Sequence, residues 1–430
     1  ALGLRRRTRL VSGPQGPHVV LDGKPVLVLC SGNYLGLADH PRVREAAADA
    51  SMRWGAGAGA SRLVSGTMTI HRRLEERLAA FAGRQAALLF GSGYLANLGT
   101  VAALARPGDV VFCDELNHAS IVDGCRLSGA EVFVYDHADV DHLAWGIEHS
   151  QGRGSLIATD SVFSIDGDVA PLVEIVELAQ HHRLRTVIDE THGIGALGPG
   201  GRGALAVVGL EDHVDVIVGS LGNALGSYGG FVACDQQMAR YLVNAARTFS
   251  SSTAPPPPAL AAALAALELL QERPRRVQRL AANAAVLRAG LEREGFDPGN
   301  SRTHVMPLSV GDPGQTLALA EAALLRGVFV EAITPPAVTP ITARLRVAVM
   351  ATHREEELAQ AARALGAAAR SLGIEPQPAV IVGPDPLTRD DADDPEPLEL
   401  PAEPVAADAY AQPPRGVFDF EAPVRSRRAA

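Results

Sequence analysis

Lysine is nearly absent from this chain: of its 39 lysine and arginine residues, Lys24 alone is a lysine. Coding bias can exchange surface lysines for arginine without consequence. It cannot excuse the loss of a lysine that acts as nucleophile or base, because a guanidinium stays protonated and does neither job. Cysteine is also scarce. Cys30, Cys113, Cys125 and Cys234 are widely spaced and form no Cys-x-x-Cys pair, which excludes a disulfide framework or a zinc ribbon and fits a reducing cytoplasm. Aromatic residues make up only 4% of the sequence.

Other absences narrow the function classes. No apolar run reaches the length of a membrane span, and no apolar stretch of signal-peptide type follows Arg5–Arg7, so a soluble cytoplasmic protein is expected. The net charge is −10 with no basic stripe, which excludes nucleic acid as a partner. His181 and His182 are adjacent, hence on different faces of any helix, and no other spacing suggests a metal site. Gly193-Ile194-Gly195 lacks the flanking order of a dinucleotide fingerprint. No internal repeat is visible.

What remains is an alanine- and glycine-rich chain of 430 residues, 47% hydrophobic and 20% charged, long enough for two or three lobes. Short apolar strands are expected at residues 19–21 and 26–30, then at 87–90, 110–113, 131–135, 156–159, 186–189, 214–219 and 230–234. Helical periodicity covers 42–53 and 70–81, continues from Tyr94, and returns after the proline run at 255–258 over 259–271. Further strands near 305–310 and 345–349 alternate with helices. This alternation predicts an α/β fold with a largely parallel sheet covered by helices. It also predicts four segments: an N-terminal segment (1–45), a large domain (46–258), a smaller α/β domain (259–374) and an acidic, proline-rich, disordered tail (375–430).

Polar clusters fall where the parallel strands should end, which is where open sheets bind ligands. Gly91-Ser92-Gly93-Tyr94 links a strand to a helix and could hold a phosphate on backbone N–H groups, or could be only a turn. Asp189-Glu190-Thr191-His192-Gly193 carries a carboxylate that would be buried and need a cationic partner, such as a protonated pyridine, or would serve as a cap or ion pair. His118, in Asn117-His118-Ala119-Ser120, is either a flat platform for an aromatic ring or a satisfied histidine at a helix start. Asp160-Ser161-Val162-Phe163-Ser164-Ile165-Asp166-Gly167-Asp168 reads as a polar loop with turn chemistry.

Taken in order, these clusters resemble the α-oxoamine synthases, pyridoxal-phosphate enzymes of fold-type I that condense an amino acid with an acyl thioester, with loss of carbon dioxide and the thiol carrier. The resemblance covers about residues 10–370. Asn33-Tyr34-Leu35-Gly36-Leu37, Ser61-Arg62-Leu63-Val64-Ser65-Gly66 and the stretch from Gly222 to Gly229 make it strongest to the branch that joins L-alanine to a pimeloyl thioester in biotin biosynthesis.

The resemblance implies that Asp189 pairs with the pyridine nitrogen, that His118 stacks on the ring, and that His192 and Ser164 lie near the phenolic oxygen. It implies that Gly93, Tyr94 and Ser220 hold the phosphate, that Thr253 reaches the phosphate of a second subunit, making a homodimer, and that Arg346 grips the substrate carboxylate. The carrier is coenzyme A or acyl carrier protein. Asn223 marks a departure: Ser220-Leu221-Gly222-Asn223-Ala224-Leu225-Gly226 stands where the family has Thr-x-x-Lys-Ala-x-Gly. Asn223 would then be at the place of the Schiff-base lysine, and pyridoxal phosphate, if bound, would be held non-covalently. Gly32 is a second departure, at a position where the family commonly has an asparagine near the substrate carboxylate. Lys24, in a turn between strands, is expected to face solvent. Two readings stay open: an acyltransferase impaired by Asn223, or a non-catalytic cofactor- or acyl-binding homologue that serves as a silent subunit.

Overall fold

The computed structural model describes residues 8–152 and 154–376. Strands β1 (Val11–Ser12), β2 (His18–Leu21) and β3 (Lys24–Val28) pair antiparallel at the N-terminus. Lys24 is exposed just after the Asp22-Gly23 turn.

The centre is a seven-stranded sheet of β4 (Ala86–Phe90), β5 (Val110–Asp114), β6 (Glu131–Tyr135), β7 (Ser155–Asp160), β8 (Arg185–Asp189), β9 (Val216–Ser220) and β10 (Gly230–Cys234). The order is β4-β10-β9-β8-β7-β5-β6. The strands from β5 to β9 run parallel, and β10 lies antiparallel between β9 and β4. The connection from β9 to β10 contains no helix, and a parallel return would need a long crossover; the chain therefore reverses. Side chains alternate across the sheet. Leu88 and Phe90 pack with Ala96 and Val101 of the helix Gly93–Leu104, while Ala87 and Leu89 face Ile70, Leu74 and Leu78 of the helix Thr69–Phe81. Helices on both faces explain why β9 and β10 are buried throughout and β8 is buried after Arg185.

A smaller antiparallel sheet contains β11 (Val305–Gly311), β13 (Glu331–Ile333) and β14 (Ala343–Ala348) in the order β11-β14-β13. Strand β12 (Val328–Phe329) instead joins β3 in parallel, Val328 opposite Leu27, so a late segment completes the N-terminal sheet. The expected strands are found within a residue or two of their expected bounds, and the α/β class is as expected. Apart from Glu375 and Pro376, the acidic tail lies outside the described residues, as does Arg5–Arg7. Among the described residues no helix is long and apolar enough to cross a membrane.

One edge of the large sheet gathers the chemistry. Asp114, Asp160, Asp189 and Ser220 are each the last residue of a parallel strand. Gly230 is opposite both Phe90 and Ser220, which brings the turn after β4 to the same edge.

Candidate active site

Asp189 is buried at the end of β8 and has only neutral donors. Its Oδ1 accepts the Thr191 N–H at 2.8 Å, and its Oδ2 accepts from the Asn97 amide. Among the described residues no basic side chain forms an ion pair with it, so a buried carboxylate is left with an unmet demand for a cation. Asn97 lies one turn beyond Gly93 on the same helix, hence on the same side of it.

Asp160, at the end of β7, is the register partner of Asp189. Its Oδ2 accepts the His118 N–H at 2.6 Å, while its buried Oδ1 has no partner. Burial, reinforced by the neighbouring Asp189, holds its pKa well above the usual carboxylate range. Burial and the neighbouring Asp189 thus both disfavour the charged form of Asp160. Asn117 fastens the loop that bears His118. Its Oδ1 accepts the Asp160 N–H at 2.9 Å and its Nδ2 donates to the Ala158 carbonyl at 2.7 Å. The His118 Nδ1 lies 2.6 Å from the Ser120 hydroxyl, which in turn accepts from Asn97 at 3.0 Å. One network thus fixes His118 and Asp189 together.

At the mouth of the helix Gly93–Leu104, the Ser92 hydroxyl caps the Leu95 N–H at 3.1 Å. The first-turn N–H groups of Gly93 and Tyr94 have no acceptor within the helix and point to an anion. The Ser220 hydroxyl accepts the Gly222 N–H at 3.0 Å. A Cβ at Gly93 would stand 3.5 Å from both the Ser220 Cβ and the Thr191 Oγ1, and that Thr191 hydroxyl is buried without a partner. A side chain at this position would line the cradle between Ser220 and Thr191.

The third group centres on Tyr34, whose ring is fully buried against His304 with centroids 4.0 Å apart. The phenol oxygen lies 2.7 Å from His192 Nδ1 and 3.4 Å from both Asn223 Nδ2 and Arg346 Nη2. Burial pushes the His192 pKa well below its ordinary value, with the Arg346 charge adding to the effect. A neutral imidazole and two N–H donors leave one arrangement: the hydroxyl donates to Nδ1 and its oxygen accepts from Asn223 and Arg346. Arg346 sits on β14, and its Nε donates to the Ser164 carbonyl. That contact ties the small sheet to the 160s loop. The same loop is pinned by His137, 2.9 Å from Asp114 and 2.6 Å from Asp168.

The structure therefore groups Asp189 with His118, Gly93 with Ser220, and His192, Asn223, Ser164 and Arg346 around Tyr34. Thr253 stands apart: it is exposed and bridged to Ser61. Sequence reasoning gave no role to Tyr34, Asn97, Asp160 or His304. Asn97 was readable from its helical spacing to Gly93; His304 carried no signal at all.

These residues fit pyridoxal phosphate. Asp189 supplies a carboxylate for a protonated ring nitrogen, the first-turn N–H groups and Ser220 supply a phosphate cradle, and His118 supplies a flat side chain tied to Asp189 through Ser120 and Asn97.

Comparison with known proteins agrees with this chemistry. The aminotransferase class I and II family matches residues 24–365. The 8-amino-7-oxononanoate synthase of Citrifermentans bemidjiense is 47% identical over 377 residues, covering 87% of this chain and 97% of that protein. The synthase of the same name from Anaeromyxobacter dehalogenans is 49% identical over 353 residues, covering 82% and 89%. A solved structure of SPT with a PLP internal aldimine superposes with a TM-score of 0.82 at 31% identity, covering 85% of this chain and 93% of that one. A serine palmitoyltransferase variant from S. paucimobilis, alanine replacing one lysine, has bound PLP-myriocin aldimine and superposes equally well, with TM-score 0.82, 31% identity and the same coverage of 85% and 93%.

Proposed function

The chain belongs to the α-oxoamine synthases within the aminotransferase class I and II family, and from that premise we propose that it keeps the frame of an 8-amino-7-oxononanoate synthase while turning over poorly. The reaction of that frame joins L-alanine to a pimeloyl thioester carried by coenzyme A or acyl carrier protein. The reading rests on Asn223 in Ser220-Leu221-Gly222-Asn223-Ala224-Leu225-Gly226, the stretch that resembles the family's Thr-x-x-Lys-Ala-x-Gly, so that Asn223 would stand at the place of the Schiff-base lysine.

When bound, pyridoxal phosphate supplies the electron sink for bond breaking at the α-carbon of the amino acid. Asp189 would hold the protonated ring nitrogen. His118 would lie against the ring, with His192 and Ser164 toward its phenolic oxygen. Gly93 and Tyr94 N–H groups and the Ser220 hydroxyl would hold the phosphate, and Arg346 would take the substrate carboxylate. An asparagine amide is neither a nucleophile nor a base near neutral pH. Losing the general base alone costs about 10²–10⁴-fold in rate. Lys24 offers no replacement from its exposed place after the β2–β3 turn. The cofactor is then held non-covalently, and the lysine-to-alanine serine palmitoyltransferase with bound PLP-myriocin aldimine supports that retention.

Subunit pairing belongs to the same reading. Thr253 is exposed beside the Ser61 bridge, and Leu63 and Val64 on the adjoining stretch are 57% and 78% exposed. A cytoplasmic homodimer would cover these side chains and bring Thr253 to the partner's phosphate. The lysine-free site also supports a second reading, a silent subunit that binds cofactor or acyl carrier for an active partner; a second, lysine-bearing copy in the same genome would favour it.

The test is borohydride reduction after loading with pyridoxal phosphate and gel filtration. The expected result is cofactor retained by absorbance, with no covalent mass gained by the chain, against a mass gain in Asn223→Lys. No retained cofactor, or a mass gain in the unaltered chain, overturns the reading.

A further inference from the structure

We propose that Asn223 is a ligand-binding residue in its own right: its side-chain amide, together with Arg346, binds the carboxylate of an amino acid joined to the cofactor. The inference rests on the cofactor reading above and assigns a substrate contact to the residue that reading treats as a loss.

Two donor side chains meet at one atom. Asn223 Nδ2 and Arg346 Nη2 are each 3.4 Å from the Tyr34 phenol oxygen, so they are no more than about 7 Å apart. Those contacts are long, and each nitrogen keeps a second N–H. One carboxylate spans such a gap with two ordinary hydrogen bonds. Arg346 is 8% exposed, and its nearest carboxylate is that of Glu331, 3.8 Å away with a half-exposed side chain. A buried guanidinium with so loose a partner is suited to an incoming anion.

Gly32 supplies the room. A Cβ there would lie 3.5 Å from Asn223 Nδ2 and 3.7 Å from its Cγ, in van der Waals contact with the amide, so a side chain longer than alanine would take up space beside it. The neighbouring imidazoles add no positive charge of their own: burial lowers the His304 pKa to about 3 and holds that of His192 well below its usual value, which leaves Glu331 as the carboxylate nearest Arg346. The carboxylate would therefore meet the Arg346 guanidinium, which only the half-exposed Glu331 opposes, and one neutral amide donor from Asn223.

The test is calorimetry on the full chain with two stable probes that need no lysine. N-(phosphopyridoxyl)-L-alanine carries the carboxylate; N-(phosphopyridoxyl)ethylamine differs only in lacking it. Asn223→Ala is expected to weaken the alanine adduct about tenfold to a hundredfold, the worth of one hydrogen bond to a charged group. The ethylamine adduct should change by less than about threefold, within the spread of a neutral contact. Asn223→Asp, close in shape but of like charge to the ligand, should weaken the alanine adduct further still. The inference is overturned if Asn223→Ala weakens both adducts alike, or neither. Failure of the unaltered chain to bind either adduct overturns the cofactor reading itself and this inference with it.

Discussion

Asp160 and Asp189 face each other as register partners at the ends of adjacent parallel strands, and both carboxyl groups are buried. Two charges cannot share that space without a cation, and the Asp160 pKa is raised well above the usual range by burial and by Asp189.

The pair should therefore respond unequally to substitution. Asp160→Asn keeps an acceptor for the His118 N–H and should change folding stability by less than about 1 kcal/mol. Asp160→Ala leaves that N–H unpaired and should cost about 1–3 kcal/mol. Urea denaturation checks both, and equal losses would show that Asp160 is charged. Asp189→Asn should leave the fold intact but raise the dissociation constant for pyridoxal phosphate at least about tenfold, the worth of a charged hydrogen bond. Equilibrium dialysis reads that change.

Tyr34 holds three side chains through one oxygen. Tyr34→Phe keeps the ring against His304 and loses only the hydroxyl, at an expected cost of about 1–2 kcal/mol. Tyr34→Ala also removes a fully buried ring and should cost about 3–5 kcal/mol. Thermal and urea unfolding of the two variants give the difference; similar losses would mean that the ring packing contributes little.

His137 gives the fold a dependence on alkaline pH. Burial opposes its charge, but hydrogen bonds and charge from Asp114 and Asp168 outweigh burial and raise its pKa to about 10. A histidine whose folded pKa is raised contributes stability that is complete below its ordinary value of about 6.5 and disappears as pH climbs through the folded value. Between about pH 6.5 and 10 the chain should lose roughly 2–5 kcal/mol more than His137→Gln. Denaturation series at several pH values test this, and parallel curves would contradict it. Because Asp168 lies on the loop of Ser164, the same titration should loosen the contact of Arg346 with that loop.

The parts of the site that were legible in the sequence are those next to their own strand. Asp189, His118, Ser220 and Gly93 each follow an apolar run closely, and the parallel alternation places all such ends on one edge. The antiparallel turn of β10 was equally readable, because no helix fits between β9 and β10. Contacts closed across long chain separations were not. Arg346 meets Ser164 and Tyr34 from a different sheet, and β12 is a two-residue strand with no periodicity to betray its pairing with β3. Tyr34 and His304 are far apart in sequence, so nothing local marks one as the wall of the other. Thr253 shows no role within its own subunit, and its proposed role depends on a second copy.

The central claim is that one side chain, Asn223, stands between this frame and turnover. The most direct test is thiol release from pimeloyl-CoA with L-alanine and pyridoxal phosphate, the unaltered chain beside Asn223→Lys. A lysine restored at that place should turn over at least about a hundredfold faster, the lower bound set by regaining a general base. Equal rates would contradict the claim and show that some other group moves the proton.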